Sequence, residues 1–260
     1  MCVDVEWADG NAEIFMRWRT LHGQAQQQTI SAALWAKFVN VHMDPEALNI
    51  YMDGFHFYNG DMKAQMEAHH YCSAVNDDVN QCVIFDGNGR DAKIMGVEYI
   101  ISSKPFETLP AEEKKLWHSH VHEVKSGQLV APGIPQKAEH EFMKKMIGTY
   151  GKTWHTWHTD LKLTLPTGHP LLMMGFTADG QANEQMVAER DKRFDIKSEE
   201  KRKDRESIAA PAISHGADAW QQADVVQLTL QPLATGAPVP HSHRAAPSDR
   251  TPAKQPPESQ

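Results

Sequence analysis

The chain has 260 residues and a formal net charge of −8 with histidine neutral, and 23% of its residues are charged. That length holds one sizeable domain with extensions, and the negative balance argues against nonspecific binding to nucleic acid or to an anionic membrane. Three cysteines, Cys2, Cys72 and Cys82, are too few and too unevenly spaced for a disulfide framework, so they predict a reducing, cytoplasmic setting.

The N-terminus carries Asp4, Glu6 and Asp9 and neither the basic leader nor the apolar core of a signal peptide. No apolar run approaches the roughly 18 residues that span a bilayer, so no transmembrane segment is expected. Residues 1–27 read as a variable leader. From there Ile30, Ala33, Leu34, Phe38 and Val41 recur at helical spacing. Asp44-Pro45-Glu46 offers an N-cap and a first-turn proline for a second helix, 46–58, with Leu48, Tyr51, Met52 and Phe55 on its buried face. Segment 68–75 fits neither period. Gln81–Phe85 and Lys93–Ser102 read as two strands joined by the turn Asp86-Gly87-Asn88-Gly89. On the second strand Glu98 shares a face with Gly96 and Ile100, turned either to solvent or to a cleft. Helices are predicted over 111–124, opened by Leu109-Pro110, and over 137–150. Residues 154–165 read as extended, 171–176 as a short strand and 183–194 as a charged helix.

Beyond Asp195 the composition shifts. Lys197–Glu206, including the run Lys201-Arg202-Lys203-Asp204-Arg205, is nearly all charged and reads as solvated, and residues 232–260 hold seven prolines and no Phe, Tyr or Trp. The expected fold class is therefore α+β. A small antiparallel sheet, including 81–102 and segments near 154–176, packs with several helices and is followed by a disordered C-terminal tail. The compact domain is drawn at 28–195, with an ordered arm around Ala217-Asp218-Ala219-Trp220 and a mostly disordered Pro-rich tail over 221–260.

Fifteen histidines is a high count, and they concentrate in Glu67-Ala68-His69-His70-Tyr71-Cys72, in Trp117-His118-Ser119-His120-Val121-His122-Glu123 and in Trp154-His155-Thr156-Trp157-His158. Imidazole is the commonest protein metal ligand and titrates nearest neutral pH, so such clusters point to a metal or an acid–base site. On a helix His118 and His122 lie one turn apart; on a strand His118, His120 and His122 share a face. The zinc-hydrolase signature His-Glu-x-x-His is absent, as are a phosphate-binding loop, a dinucleotide fingerprint and a serine-nucleophile elbow. Adjacent His69 and His70 point apart, so one of the two is expected to face a site. Cys72 reads as a small buried hydrophobe, Trp154–His158 as aromatic packing, and His56 carries little weight alone.

Over about residues 45–220 the chain resembles the oil body-associated protein family. The resemblance runs through Phe55-His56-Phe57-Tyr58, Glu67 to Cys72, Gln81-Cys82, Gly96 to Ile100, Phe106 to Pro110 and Glu112 to His120. It continues through Glu123 to Gly127, Tyr150 to Trp154, Leu165 to Gly168, Arg190-Asp191 and Gly216-Ala217-Asp218. The family pattern carries His118, His120 and Glu123 but an aromatic residue where His122 stands, which moves weight from the His118/His122 pair to His69 or His70, His118, His120 and Glu123. Plant members associate with seed lipid bodies, and no reaction is settled for the family. The resemblance implies a binding or lipid-body-associated protein, cytoplasmic or peripheral to lipid bodies, reached through a droplet surface or a protein partner. The alternative is an enzyme of unidentified reaction that binds a divalent metal through His118, His120, Glu123 and His69 or His70, with Glu98 or Glu67 as the spare base. A metal-free acid–base enzyme is the third reading.

Overall fold

The computed structural model of the chain describes residues 2–8, 11–19, 25–31 and 48–232. Strands β1 (Cys2–Ala8), β2 (Asn11–Arg19) and β3 (Ala25–Ser31) form an antiparallel meander in that order. The helix expected from Ile30 to Val41 falls on the end of β3 and otherwise lies outside the described residues, as does the tail beyond Pro232.

The rest is organised by a closed antiparallel barrel. Strands β4 (Ile50–Tyr58), β5 (Asp61–Asn76), β6 (Val79–Phe85) and β7 (Ile94–Ser102) pair in sequence. Two more, β9 (Thr149–His155) and β10 (Leu171–Met174), complete the ring, because β7 pairs with β9, β9 with β10 and β10 with β4. The β10 strand is only four residues long, so it closes the wall beside Phe57 and Tyr58 and leaves the other half of β4 and β9 unpaired by it. The insertion 118–131 fills that half. Its two-residue strand β8 (His118–Ser119) pairs with Gly151 and Tyr150, and Val130 exchanges two 2.8 Å backbone hydrogen bonds with Asp53.

Period two puts Met52, Gly54, His56 and Tyr58 of β4 inside the barrel with Met66, Ala68, His70 and Cys72 of β5. Tyr58, Met66, Ala68, Ile84, Met95 and Met173 form one apolar layer; Met52, Cys72, Cys82 and Ile100 belong to another, continuous with Val124, Leu129, Met143 and Met146. The polar site lies between these layers.

Helices α1 (Ser103–Glu107), α2 (Ala111–Lys114), α3 (Val121–Ser126), α4 (Gln136–Met146), α5 (Glu184–Phe194) and α6 (Ser198–Asp204) pack with the barrel, as the α+β expectation requires. The hairpin 81–102 stands as expected, and Asn183 caps α5 by accepting from the amides of Gln185 and Met186.

Several expectations are corrected. The helix expected over 46–58 is, over its described residues, strand β4: Phe55 and Phe57 are buried on its outer face beneath Phe176 and Val187, so both faces are buried and the run imitates a helical stripe. The helix over 111–124 is broken into α2, β8 and α3, because the backbone at Ser119 is claimed by β9 and by Asp218. The helix over 137–150 stops at Met146, and Tyr150 belongs to β9. Cys72 and Cys82 are directly opposed on β5 and β6 and form a disulfide, where the cysteine spacing predicts no disulfide framework and Cys72 reads as a small buried hydrophobe. The charged run ending at Arg205 is not wholly solvated: Arg205 is fully buried and donates to the carbonyls of Val124 (2.9 Å) and Leu129 (2.7 Å) and to Glu139. No helix among the described residues is long and apolar enough to cross a membrane.

Candidate functional site

Five imidazoles and two carboxylates converge in the polar layer of the barrel, and all are buried. His56 comes from β4, His70 from β5, Glu98 from β7 and His155 from β9; the insertion supplies His118 from β8 and His120, with Glu123 following on the first turn of α3. Glu98 is the hub. Its Oε2 lies 2.8 Å from His70 Nε2 and 3.7 Å from His56 Nε2, while its Oε1 lies 3.3 Å from His120 Nε2 and 3.6 Å from His118 Nε2. Glu123 Oε2 is 4.0 Å from His118 Nε2. His155 Nε2 stands 3.4 Å from His56 Nδ1, and Thr149 Oγ1 pairs with His120 Nδ1 at 2.8 Å.

Glycines make room for these side chains. A Cβ on Gly151 would lie 2.1 Å from Glu98 Oε1 and 2.7 Å from the His118 ring, and one on Gly175 would lie 2.7 Å from Glu123 Oε2. Gly151→Ala is therefore expected to cost about 1–3 kcal/mol of stability, because neither buried neighbour has space to retreat. Gly148→Ala, where the nearest atom is Pro211 Cγ at 3.9 Å, is expected to be near neutral. Urea midpoints of the two variants measured side by side check this, and equal midpoints would contradict it.

The site is held from outside by charged clamps. Fully buried Arg190 donates to Asp53 (2.9 Å), to the Gln128 carbonyl (2.8 Å) and to Ser198 (3.0 Å), and its guanidinium covers the Phe55 ring at 4.8 Å. It ties β4 to the loop that follows Glu123. Asp218, from the segment preceding Trp220, accepts from the Ser119 amide (3.0 Å) and hydroxyl (2.6 Å), fixing the residue between His118 and His120.

Burial dominates the electrostatics. It holds the imidazoles of His118 and His155 down at about 3, against the opposing pull of the Glu98 carboxylate, and it lowers His56 well below the usual range. Burial also pushes Glu98 up, but the surrounding imidazoles, His70 first, outweigh it and leave that carboxyl well below its ordinary value. Glu123 goes the other way: burial, then the charges of Glu98 and Asp218, raise it. A sign follows for stability. Between pH 6.5 and about 3 the unfolded chain takes up protons at His118 and His155 that the folded chain refuses, so their contribution is complete above 6.5 and is lost as pH falls toward 3. Glu123 opposes this trend. The denaturation midpoint of metal-free protein is expected to drop from pH 7 to pH 5, with a shallower drop in His155→Gln; a midpoint that rises on acidification would contradict the assignment.

Several polar atoms here are buried and lack a hydrogen-bond partner among the described residues: both nitrogens of His118, Nδ1 of His70 and His155, Oε2 of Glu123 and the hydroxyl of Thr153. A void of about 10 Å³, lined by His56, His70, Glu98, His120 and Glu123 with Met52, Ile100, Leu129 and Met146, lies among them. That is room for one water-sized occupant. Two triads, His56/Glu98/His118 and His118/His120/Glu123, bring their donor atoms within 4.8 Å of one another. Such His/Glu groupings have the composition of metal-coordinating clusters. A cleft of about 520 Å³, lined by Tyr51, Ser102, Ala131, Phe142, Met146 and Thr149 among others, reaches toward this layer: Met146 borders both spaces, and Thr149 touches His120.

The remaining candidates fall elsewhere. His69 faces out of the barrel, 2.8 Å from Tyr51 Oη and 3.2 Å from Asp53 Oδ2, and Glu67 beside it pairs with Arg193. The triad Asp53/Glu67/His69 thus stands against two arginines, Arg190 and Arg193, whose charge disfavours a cation there. His122 points away, 3.9 Å from Asp179 at the surface. His158 bonds Tyr58 and the carbonyl of His169. Sequence reasoning gave little weight to His56 and read His155 as packing, whereas the structure brings both into the cluster, and it gave no role to Asp53, Thr149 or Thr153.

A family model described as "Protein of unknown function (DUF1264)" matches residues 44–209. Among curated proteins, oil body-associated protein 1B of Arabidopsis thaliana is 48% identical over 159 residues, covering 61% of this chain and 66% of the relative. Oil body-associated proteins 1A and 2A of Zea mays are 45% and 43% identical, covering 62% and 65% of this chain and 67% and 69% of their own lengths. The chain thus spans about two thirds of these relatives. No solved structure matches it. Matched over more than half its length by the family model and this similar to several named members, the chain belongs to the oil body-associated protein family, described as a protein of unknown function (DUF1264).

Proposed function

We propose that the barrel is a binding module for one divalent transition-metal ion. His118 and His120 supply nitrogens, Glu98 and Glu123 supply oxygens, and His70 and His56 are further nitrogens within reach. The observation that carries this reading is a void large enough for one ion, lined by His70, Glu98, His120 and Glu123, whose Oε2 has no partner, with the unpartnered Nε2 of His118 3.6 Å from Glu98 and 4.0 Å from Glu123. Leaving such atoms unpaired costs free energy, and a cation bound by His118 Nε2 and Glu123 Oε2 satisfies those two together. The spacing supports the same view. Donors about 2.0–2.1 Å from a tetrahedral ion stand roughly 3.4 Å apart, and the distances from Glu98 Oε1 to the nitrogens of His120 and His118 are 3.3 and 3.6 Å. Two carboxylates offset a divalent charge, and imidazole with carboxylate suits zinc, iron or manganese. Cobalt(II) titration of chelator-treated protein tests it: visible absorption bands saturating at one ion per chain are expected, and a featureless titration would contradict the reading.

The relatives' names favour a second, compatible reading, in which the chain works at the surface of oil bodies as a peripheral, cytoplasm-facing protein. Glu98 then serves binding or chemistry at the metal and Glu67 serves the ion-pair network under α5. Flotation of the protein with isolated oil bodies tests this, and recovery wholly in the soluble fraction would contradict it.

A further inference from the structure

The loop between β9 and β10 carries an unbroken exposed stretch, residues 160–168, that contains three leucines. Leu161, Leu163 and Leu165 are 63%, 37% and 65% exposed, and none joins a core cluster among the described residues. An apolar side chain left in water at every second position is an uncommon arrangement for a loop with no partner. The base of the loop is pinned. Tyr58 Oη donates to Asp160 at 2.6 Å and pairs with His158 Nδ1 at 3.1 Å, and His158 Nε2 bonds the carbonyl of His169 at 3.1 Å. Thr156 and Trp157 both donate their amides to the Met95 carbonyl. The leucines are therefore presented from a fixed platform at one end of the barrel. At that same end Ile94 is 53% exposed and Lys93 lies 6.0 Å from the Trp157 ring.

The charge of the stretch is as telling as its apolarity. In a chain of net charge −8, residues 160–168 carry one lysine, Lys162, and one acid, Asp160, which Tyr58 ties down at the base of the loop, so the leucine-bearing part, 161–168, holds no acid. An exposed run of leucines interleaved with a lysine fits a surface that has acyl chains within and phosphates without. We infer that the 161–165 loop is the lipid-docking element of this chain, inserting its three leucines into the phospholipid monolayer of an oil droplet while Lys162 meets the headgroup phosphates. This rests on the oil-body reading and names the surface that would serve it. The insertion is shallow and reversible, since nothing in the loop is long enough to span.

The test uses the full chain with triolein droplets coated in phosphatidylcholine, separated by flotation. The variant is Leu161→Ser/Leu163→Ser/Leu165→Ser, and a control, Val75→Ser/Ile213→Ser, removes apolar side chains 56% and 46% exposed on other parts of the surface. Unfolding midpoints establish that both variants keep the fold. The expected result is at least a tenfold loss of droplet binding in the leucine variant, about what removing several inserted apolar side chains implies, with the control bound like wild type. Equal binding of wild type and leucine variant would overturn the docking assignment and leave the oil-body reading standing. Equal loss in both variants would also overturn it. Wild type that fails to float would remove the oil-body reading itself.

Discussion

Arg190→Ala is expected to destabilise the fold by about 3–5 kcal/mol, the scale for removing one partner from a buried ion pair. Its guanidinium is fully buried and contacts groups from four places: Asp53 on β4, the carbonyls of Gly127 and Gln128 after α3, Asp191 beside it on α5, and Ser198 at the start of α6. Truncation strands the Asp53 carboxylate, whose Oδ2 already lacks a hydrogen bond, and takes the guanidinium donors from the carbonyls of the buried residues Gly127 and Gln128. Burial pushes Asp53 upward and Arg190 opposes it, so loss of the arginine drives that carboxyl toward its neutral form. The loss is a large part of the roughly 5–15 kcal/mol that holds a domain together. Adding Asp53→Asn to Arg190→Ala is expected to recover part of it by removing the stranded charge. Denaturation midpoints of the single and double variants measure both effects, and an Arg190→Ala midpoint within error of wild type would contradict the role of this clamp.

Glu98→Gln is expected to weaken metal binding by at least about 100-fold while leaving the metal-free protein folded. Replacing residues that merely orient metal ligands costs 10–100-fold, and Glu98 is proposed as a direct ligand, 2.8–3.7 Å from four imidazoles. The substitution keeps the side chain's volume in a layer where Gly151 has already given up its Cβ to it. It removes the negative charge that faces His56, His70, His118 and His120 and replaces one oxygen with an amide nitrogen, which is not a metal ligand. Competition against a chromogenic chelator reads the affinity, and circular dichroism reads the fold. Unchanged affinity would mean that Glu98 only balances the imidazoles within the barrel. Glu67→Gln, on the outer face beneath Arg193, is expected to leave metal affinity unchanged.

The local pattern of the chain disclosed the parts of this site that a single strand can express. Alternation along 94–102 put Glu98 on a face with Gly96 and Ile100, and the structure turns that face inward between exposed Val97 and Tyr99. The density of imidazole over 117–123 marked His118, His120 and His122 alike with Glu123, and it was the family resemblance that set His122 apart; its Nε2 lies 3.9 Å from Asp179. What one strand cannot express is closure. His56 and His155, 99 positions apart, join the cluster because β10 bridges β4 and β9, a closure that leaves no periodic trace. The same cause hid β4: closure buries its inner face in the barrel and α5 covers its outer face, so the alternation that marks a half-buried strand disappeared. The Cys72–Cys82 bond was hidden because 68–75 shows no apolar alternation, its apolar residues being interrupted by His69, His70 and Tyr71. Without a strand there, no register opposed the two sulfurs. Arg205 looked solvated because its neighbours are, and only the fold shows the carbonyls waiting for it.

The most direct test of the central claim is the metal content of untagged protein by elemental mass spectrometry, measured as purified and again after incubation with zinc, iron and manganese, beside His118→Ala/His120→Ala. The metal-binding barrel predicts close to one divalent ion per wild-type chain and its loss in a variant that still folds. Wild type that stays metal-free under every one of these conditions, or a double variant that retains the ion, would contradict it.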